Sequence, residues 1–251
     1  MSQPLFSIIN PAMRDDRYET VYQSLSLLNR IPFEIVFVGP NPPQKSMPSN
    51  FRYITTDVKP AQCLEIAARY ATGEYLITAG DDLTFSANFL NKMASYVGRL
   101  EGSKVWLSSR YSLGGVFHDD YFTFDPTMEI CPMVGVANVI RREVWHEMGG
   151  VDRRFVACFA DTDIQMRLHE KGYTLFITPD CSVDEIHPVD MNTLFRRSAK
   201  SERLFLNSLW INKYGLSKTR LSLVEPFSDN NILSVSQDNF RAIGKRGKHV
   251  W

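Results

Sequence analysis

The sequence predicts an α/β fold built on a mostly parallel central sheet flanked by helices. Three observations carry this expectation. Short apolar, β-branched runs recur at 5–10, 33–39, 52–56 and 73–80. Between them lie segments whose apolar residues repeat at spacings of three and four, the pattern of a helix with one buried face. Strands alternating with helices in this order imply right-handed crossovers and parallel pairing.

The run LFSIIN (5–10) stops at Pro11, so it reads as a buried strand ending in a loop. A helix is expected over 16–29, where Tyr18, Val21, Leu25 and Leu28 fall on one face. FEIVFVG (33–39) is the second strand, broken by GPNPP, and RYITT (52–56) is the third. PAQCLEIAARYA (60–71) is a helix with Pro60 in its first turn, where the missing N–H does no harm. GEYLITAG (73–80) is the fourth strand and runs directly into Asp81 and Asp82. The next helix, 86–100, buries Phe89, Met93, Tyr96, Val97 and Leu100.

The second half is less regular. KVWLSSRYSL (104–113) reads as a strand and 114–132 as a long irregular excursion. A strand and a short helix follow within 133–150. A helix over 161–171 ends at Gly172, a C-cap residue, and leads to the strand TLFITP at 174–179. A longer helix over 192–215 closes the body, with Leu194, Leu204, Leu209 and Trp210 covering the sheet. Residues 217–251 show only weak periodicity.

Lys plus Arg and Asp plus Glu both number 28, so no net charge draws the chain to nucleic acid or anionic lipid. The basic stretch FRAIGKRGKHVW at 240–251 reads as a solvated tail, with an arm that binds an acceptor or a lipid headgroup as the alternative. Cys63, Cys131, Cys158 and Cys181 form no C-x-x-C pair. That argues against a zinc knuckle or disulfide scaffold, and for reduced thiols in a cytoplasmic protein. The N-terminus MSQPLFSIIN lacks the pattern of a signal peptide. No apolar run approaches the ~18 residues of a membrane span. Peripheral membrane contact stays compatible with all of this.

Ligands of such sheets bind outside the carboxyl ends of the strands. Asp81 and Asp82 lie at that edge. Two adjacent carboxylates repel, so the pair either caps the following turn or requires a cation, and a divalent metal is the expected one. His187, after another expected strand, is either structural or a ligand completing that metal shell. His118, Asp119 and Asp120 read as a solvated loop. Asp161 and Asp163 open the helix at 161–171, either as N-caps or with Asp161 as a proton acceptor. The helix dipole is expected to keep Asp161 ionised.

The segments 6–25, 60–85 and 139–188 resemble the family 2 glycosyltransferases of the GT-A (Rossmann-like) fold. The block from Gly149 to Pro188 is the most specific. Members read there as G-G-F-D, an aromatic run, E-D-x-D, a helix, G-Y, a strand and a histidine. The resemblance implies a GT-A domain at 1–188, with a nucleotide-sugar half (1–100) and an acceptor and catalytic half (101–188). A C-terminal helical extension and tail occupies 189–251. It implies transfer of a sugar from a nucleotide-diphosphate sugar to an acceptor hydroxyl with inversion. Asp161 is the implied catalytic base, and Asp82 with His187 the implied Mn2+ or Mg2+ site. Pro11, Ala12, Arg14, Asp57 and Asp81 are the implied donor-binding residues. The expected acceptor is a saccharide, a lipid-linked intermediate or a protein, and the aromatic residues Tyr111, Phe117, Tyr121, Phe122 and Phe124 within 110–135 either stack on a sugar ring or serve packing.

The sequence departs from the family pattern at several of these positions. Gly80 replaces the first acid of D-x-D, and Ala160 the Glu of E-D-x-D. Gly39, Pro40 and Asn41 stand where members carry an acidic pair, a task that Asp57 takes over in part. Glu65 stands in place of Gly and Gln62 in place of Arg. Three alternatives remain: a non-catalytic nucleotide-sugar-binding domain, suggested by the lost motif acids; a glycosyltransferase acting on modified nucleic acid, suggested by the basic tail; and a nucleotidyltransferase. The last usually carries a glycine-rich basic loop, which NPAMRDDRY lacks.

Overall fold

The structure is a computed structural model that describes residues 3–118, 135–185, 220–228 and 232–233. The first half follows the expected alternation. It comprises β1 (Phe6–Pro11), α1 (Tyr18–Ser26), β2 (Phe33–Gly39), β3 (Phe51–Thr55), α2 (Pro60–Tyr70) and β4 (Tyr75–Thr78). A short β5 (Leu83–Phe85) and α3 (Phe89–Arg99) come next. Then follow β6 (Val105–Leu113), β7 (Val116–Phe117), β8 (Val136–Arg141), α4 (Arg142–Glu147), α5 (Ala160–Glu170) and β9 (Thr174–Glu185). A 3-10 turn spans Arg220–Leu223.

These strands form one mixed sheet in the order β3-β2-β1-β4-β8-β6-β9-β5, with β7 paired to β6. Strands β1 to β4 are mutually parallel, and β6 is parallel to β9. β8 is antiparallel to both β4 and β6, and β5 is antiparallel to β9. Residues 8–9, 35–38 and 76–77 are buried on both faces, as expected where helices cover a sheet from either side. One face packs Ile8, Ile35, Phe37 and Ile77 against Tyr18, Val21, Leu25, Phe89 and Met93 of α1 and α3. The other packs Ile9, Val36, Leu76 and Ile140 against residues of α2, α4 and α5.

Two boundaries differ from expectation. The first helix ends at Ser26, and Leu28 is 70% exposed with a φ of 58°. The three-and-four spacing overran because one apolar residue in the following turn happened to continue it. The strand expected to stop at 179 runs on to Glu185, through a register shift against β6 between Ser109 and Arg110. Its extra residues pair with β5, a strand too short to leave a periodic signal.

Two buried ionic groups fix the turn that leads into α5. Glu65, 3% exposed on α2, accepts from Trp145 Nε1 (3.2 Å) and Val151 N (3.0 Å) and pairs with Arg69 (2.8 Å). From the other side, Arg167 pairs with Asp163 at 3.0 Å, both side chains fully buried, and donates to Gly150 O at 2.7 Å and to Met148 O. Gly150 has a φ of +64°, and a Cβ there would overlap the Glu65 carboxylate. Gly150→Ala is thus expected to destabilise the chain by about 1–3 kcal/mol, read as a lower urea midpoint.

The described part of the C-terminal region packs onto the same face. Leu223 O accepts from Arg154 (2.9 Å), Glu225 pairs with Arg153 (2.9 Å), and Phe227 O accepts from Arg69 (2.6 Å). Leu221, Phe227 and Ile232 join the hydrophobic cluster there. The expected helix over 192–215, with Leu194, Leu204, Leu209 and Trp210, lies outside the described residues. Among the described residues no helix is long and apolar enough to cross a membrane.

Candidate active site

The carboxyl edge of the parallel strands gathers the candidate residues. The chain leaving β1 turns there, with Ala12 N donating to Val38 O at 2.8 Å and Asn41 Nδ2 donating to Met13 O at 2.8 Å. Tyr53 Oη donates to Ala12 O at 3.3 Å. Pro11 and Arg14 are half-buried and Ala12 fully buried, so this loop is a fixed wall. Asp57, in the loop that follows β3, is exposed.

Asp81 holds that wall from the other side. Its Oδ2 accepts from Met13 N (2.6 Å) and Arg14 N (2.8 Å), and its Oδ1 pairs with Arg14 Nη1. Asp82 Oδ2 lies 3.2 Å from the same nitrogen. Both carboxylates of the acid pair thus face one guanidinium of this chain. Burial pushes the Asp82 carboxyl up to about 6; Arg14 pulls it down, while Asp81 and Glu185 push it further up. Burial works against the charge on Arg14, but Asp81, Asp82 and Glu185 outweigh it and raise its pKa.

Glu185, which sequence reading missed, also stands at this edge. It ends β9, is paired in register with Leu83 just after the acid pair, and accepts from Tyr111 Oη at 2.6 Å. Only the extension of β9 past 179 brings it to this edge. Its neighbour Asp184 accepts from Ser112 Oγ (2.6 Å) and Gly115 N (2.7 Å). His187 lies outside the described residues, as do Asp119, Asp120 and the aromatic residues of 119–134. His118 is described; its ring centroid lies 6.1 Å from that of Tyr111.

Asp161 reaches the same edge by a different route. β8 runs antiparallel to β4, with Ile77 opposite Val139, so its start lies past the carboxyl end of β4. Gly135, just before β8, donates to Gln165 Oε1 at 2.5 Å and accepts from Gln165 Nε2 at 3.3 Å. Asp161 precedes Gln165 by one helical turn, about 6 Å further out and on the same helix face. The far end of α5 is set at the opposite edge, where Thr174 N donates to Lys104 O at 2.9 Å.

Two expectations about this helix are corrected. Neither Asp161 nor Asp163 is the N-cap: Phe159 is, in a left-handed conformation without a side-chain cap, and Asp163 pairs with Arg167. Nor does the helix dipole keep the Asp161 pKa low. Burial of its carboxyl raises the pKa, against a smaller opposing effect of the Thr162 and Asp161 N–H groups. Desolvation wins because removing a carboxylate from water costs more than the first-turn dipoles return.

A divalent metal does not fit the described residues well. Both Asp81 oxygens are taken by N–H donors, and Asp82 Oδ2 faces Arg14. A side chain at Gly80, where the family's first acid stands, would overlap Asp82 Oδ1. Among the described residues no three His, Cys, Asp or Glu side chains converge as metal ligands.

A sheet of this order, with acids after β4 and a carboxylate helix at its carboxyl edge, is that of a GT-A glycosyltransferase fold. The chain belongs to glycosyl transferase family group 2, whose family model matches residues 63–201, more than half its length. Among solved structures it is similar to TarS 1-349 of S. aureus, at 14% identity and a TM-score of 0.61, over 86% of this chain and 67% of that one. The same protein in complex with UDP aligns at 13% identity and a TM-score of 0.60, over 86% and 68%. GalNAc-T7 with UDP, GalNAc and Mn2+ aligns at 14% and 0.59, over 85% of this chain and 49% of that one. At these identities the likeness is one of fold. No curated protein sequence matches the chain.

Proposed function

We propose that the chain transfers a sugar from a nucleotide-diphosphate sugar to an acceptor hydroxyl, with inversion at the anomeric carbon. The observation that supports this reading is that the first turn of α5, which carries Asp161, starts at the same sheet edge as the cluster of Arg14, Asp81 and Asp82. UDP in the TarS and GalNAc-T7 complexes supports a nucleotide-diphosphate donor.

In this reading the acceptor oxygen attacks the anomeric carbon from the face opposite the diphosphate. Asp161 takes the hydroxyl proton as the new C–O bond forms. The bond to the leaving phosphate oxygen breaks, and the diphosphate departs with the electron pair. A diphosphate leaves as a stable anion, so no general acid is needed. The raised pKa of Asp161 suits the role, because a more basic carboxylate accepts a proton more readily. Pro11, Ala12 and Arg14 line the donor side, with Asp57 toward the nucleoside. Asp81 acts on the donor through the loop it clamps.

Incubation with a panel of nucleotide sugars and saccharide, lipid-linked and peptide acceptors tests this directly. The expected product has the anomeric configuration opposite to that of the donor, read by proton NMR coupling. A product that retains the donor configuration would remove the proposed role of Asp161.

A further inference from the structure

We infer that Arg14 supplies the positive charge that meets the donor's diphosphate, in the place where the fold commonly carries a divalent cation. This rests on the donor reading above and goes beyond it by naming the group that holds the leaving phosphates. Nη1 of Arg14 is shared between Asp81 Oδ1 and Asp82 Oδ2, so the acid pair already faces a cation. The guanidinium is held from behind. Its side chain is 35% exposed, and among the described residues its side-chain bonds run through Nη1, so that Nε and Nη2 form its other donor edge. That edge presents N–H donors in a plane, the geometry that binds two phosphate oxygens at once.

The departure at Gly80 fits the same arrangement. With no side chain at 80, the Asp82 carboxyl folds back over the chain and its Oδ2 reaches Arg14. An acid at 80 would push that carboxyl aside and open the pair. The loss of the first motif acid and the presence of Arg14 are thus two sides of one rearrangement. Three carboxylates, counting Glu185, still surround a single guanidinium. A hard divalent cation is the natural competitor for that excess charge, so metal binding must be measured directly.

The full chain is titrated with MnCl2 alone, followed by electron paramagnetic resonance. It is then titrated with UDP, GDP, CDP and dTDP by calorimetry, in EDTA and in excess MnCl2. The expected results are no saturable Mn2+ binding, and one nucleoside diphosphate binding equally in both buffers. Arg14→Ala is expected to weaken that nucleotide by about 10- to 100-fold, the usual cost of removing a charged hydrogen bond. Arg14→Lys keeps the charge without the planar fork and is expected to lose less. The N–H groups of Met13 and Arg14 still bind Asp81 in both variants, so the loop keeps its anchor. Mn2+ binding that Asp82→Asn abolishes, nucleotide binding that requires Mn2+, or unchanged affinity in Arg14→Ala would each overturn the inference and leave the donor reading intact. Binding of no diphosphate in either buffer would overturn both.

Discussion

Asp161→Asn is expected to fold normally and to lose sugar transfer by about 10²-fold or more, the usual contribution of a positioned general base. The pH dependence sharpens the expectation. Transfer requires the ionised carboxylate, and burial raises its pKa, so kcat/KM is expected to fall on the acid side at a higher pH than an ordinary carboxylate would give. Stability is expected to move the other way. Between the unfolded and the raised folded pKa, the folded chain holds a proton that the unfolded chain has released. Stability is therefore highest below that window and declines as pH rises through it. Asparagine carries no such cost, so the variant is expected to be at least as stable as wild type at neutral pH. A variant that keeps near wild-type turnover, or that melts well below wild type at neutral pH, would contradict a buried carboxylate held for catalysis.

Arg167→Met is expected to be the most damaging single change to stability. It leaves the Asp163 carboxylate buried without its 3.0 Å partner and strips a donor from Met148 O and Gly150 O. Breaking a buried pair from one side typically costs about 3–5 kcal/mol. Chemical denaturation is the measurement, and a loss below about 1 kcal/mol, the range of an exposed pair, would show that the pair is not desolvated as described. The replacement also frees the turn that sets the angle of α5, so residual folded protein is expected to transfer poorly although residue 167 lies about a turn and a half along the helix from Asp161.

Much of this was legible in the chain. The strands at 33–39 and 75–78 and the helices at 60–70 and 89–99 lie where apolar spacing put them, because each buries a face whose pattern is local. Asp81, Asp82 and Asp161 drew attention because acids stood where apolar strands or runs ended. Partnerships were less visible. Asp81 and Arg14 are 67 positions apart, and Glu65 and Val151 are 86 apart. No periodicity records such pairs. Glu185 was missed because β9 continues by pairing with a three-residue strand, which offers too short a pattern to read. The direction of the Asp161 pKa was misjudged because a helix dipole can be inferred from position, whereas desolvation depends on what the rest of the chain places around the carboxyl.

The sequence by itself determined the alternation of strands and helices and the family. Those follow from local burial patterns and from motifs that stay in order along the chain. Only the tertiary structure decided that Asp82 faces an arginine, that Asp163 is a strut, and that the Asp161 carboxyl is desolvated. Each of these is a free energy of one charge in the field of distant others, which does not exist until the chain has folded.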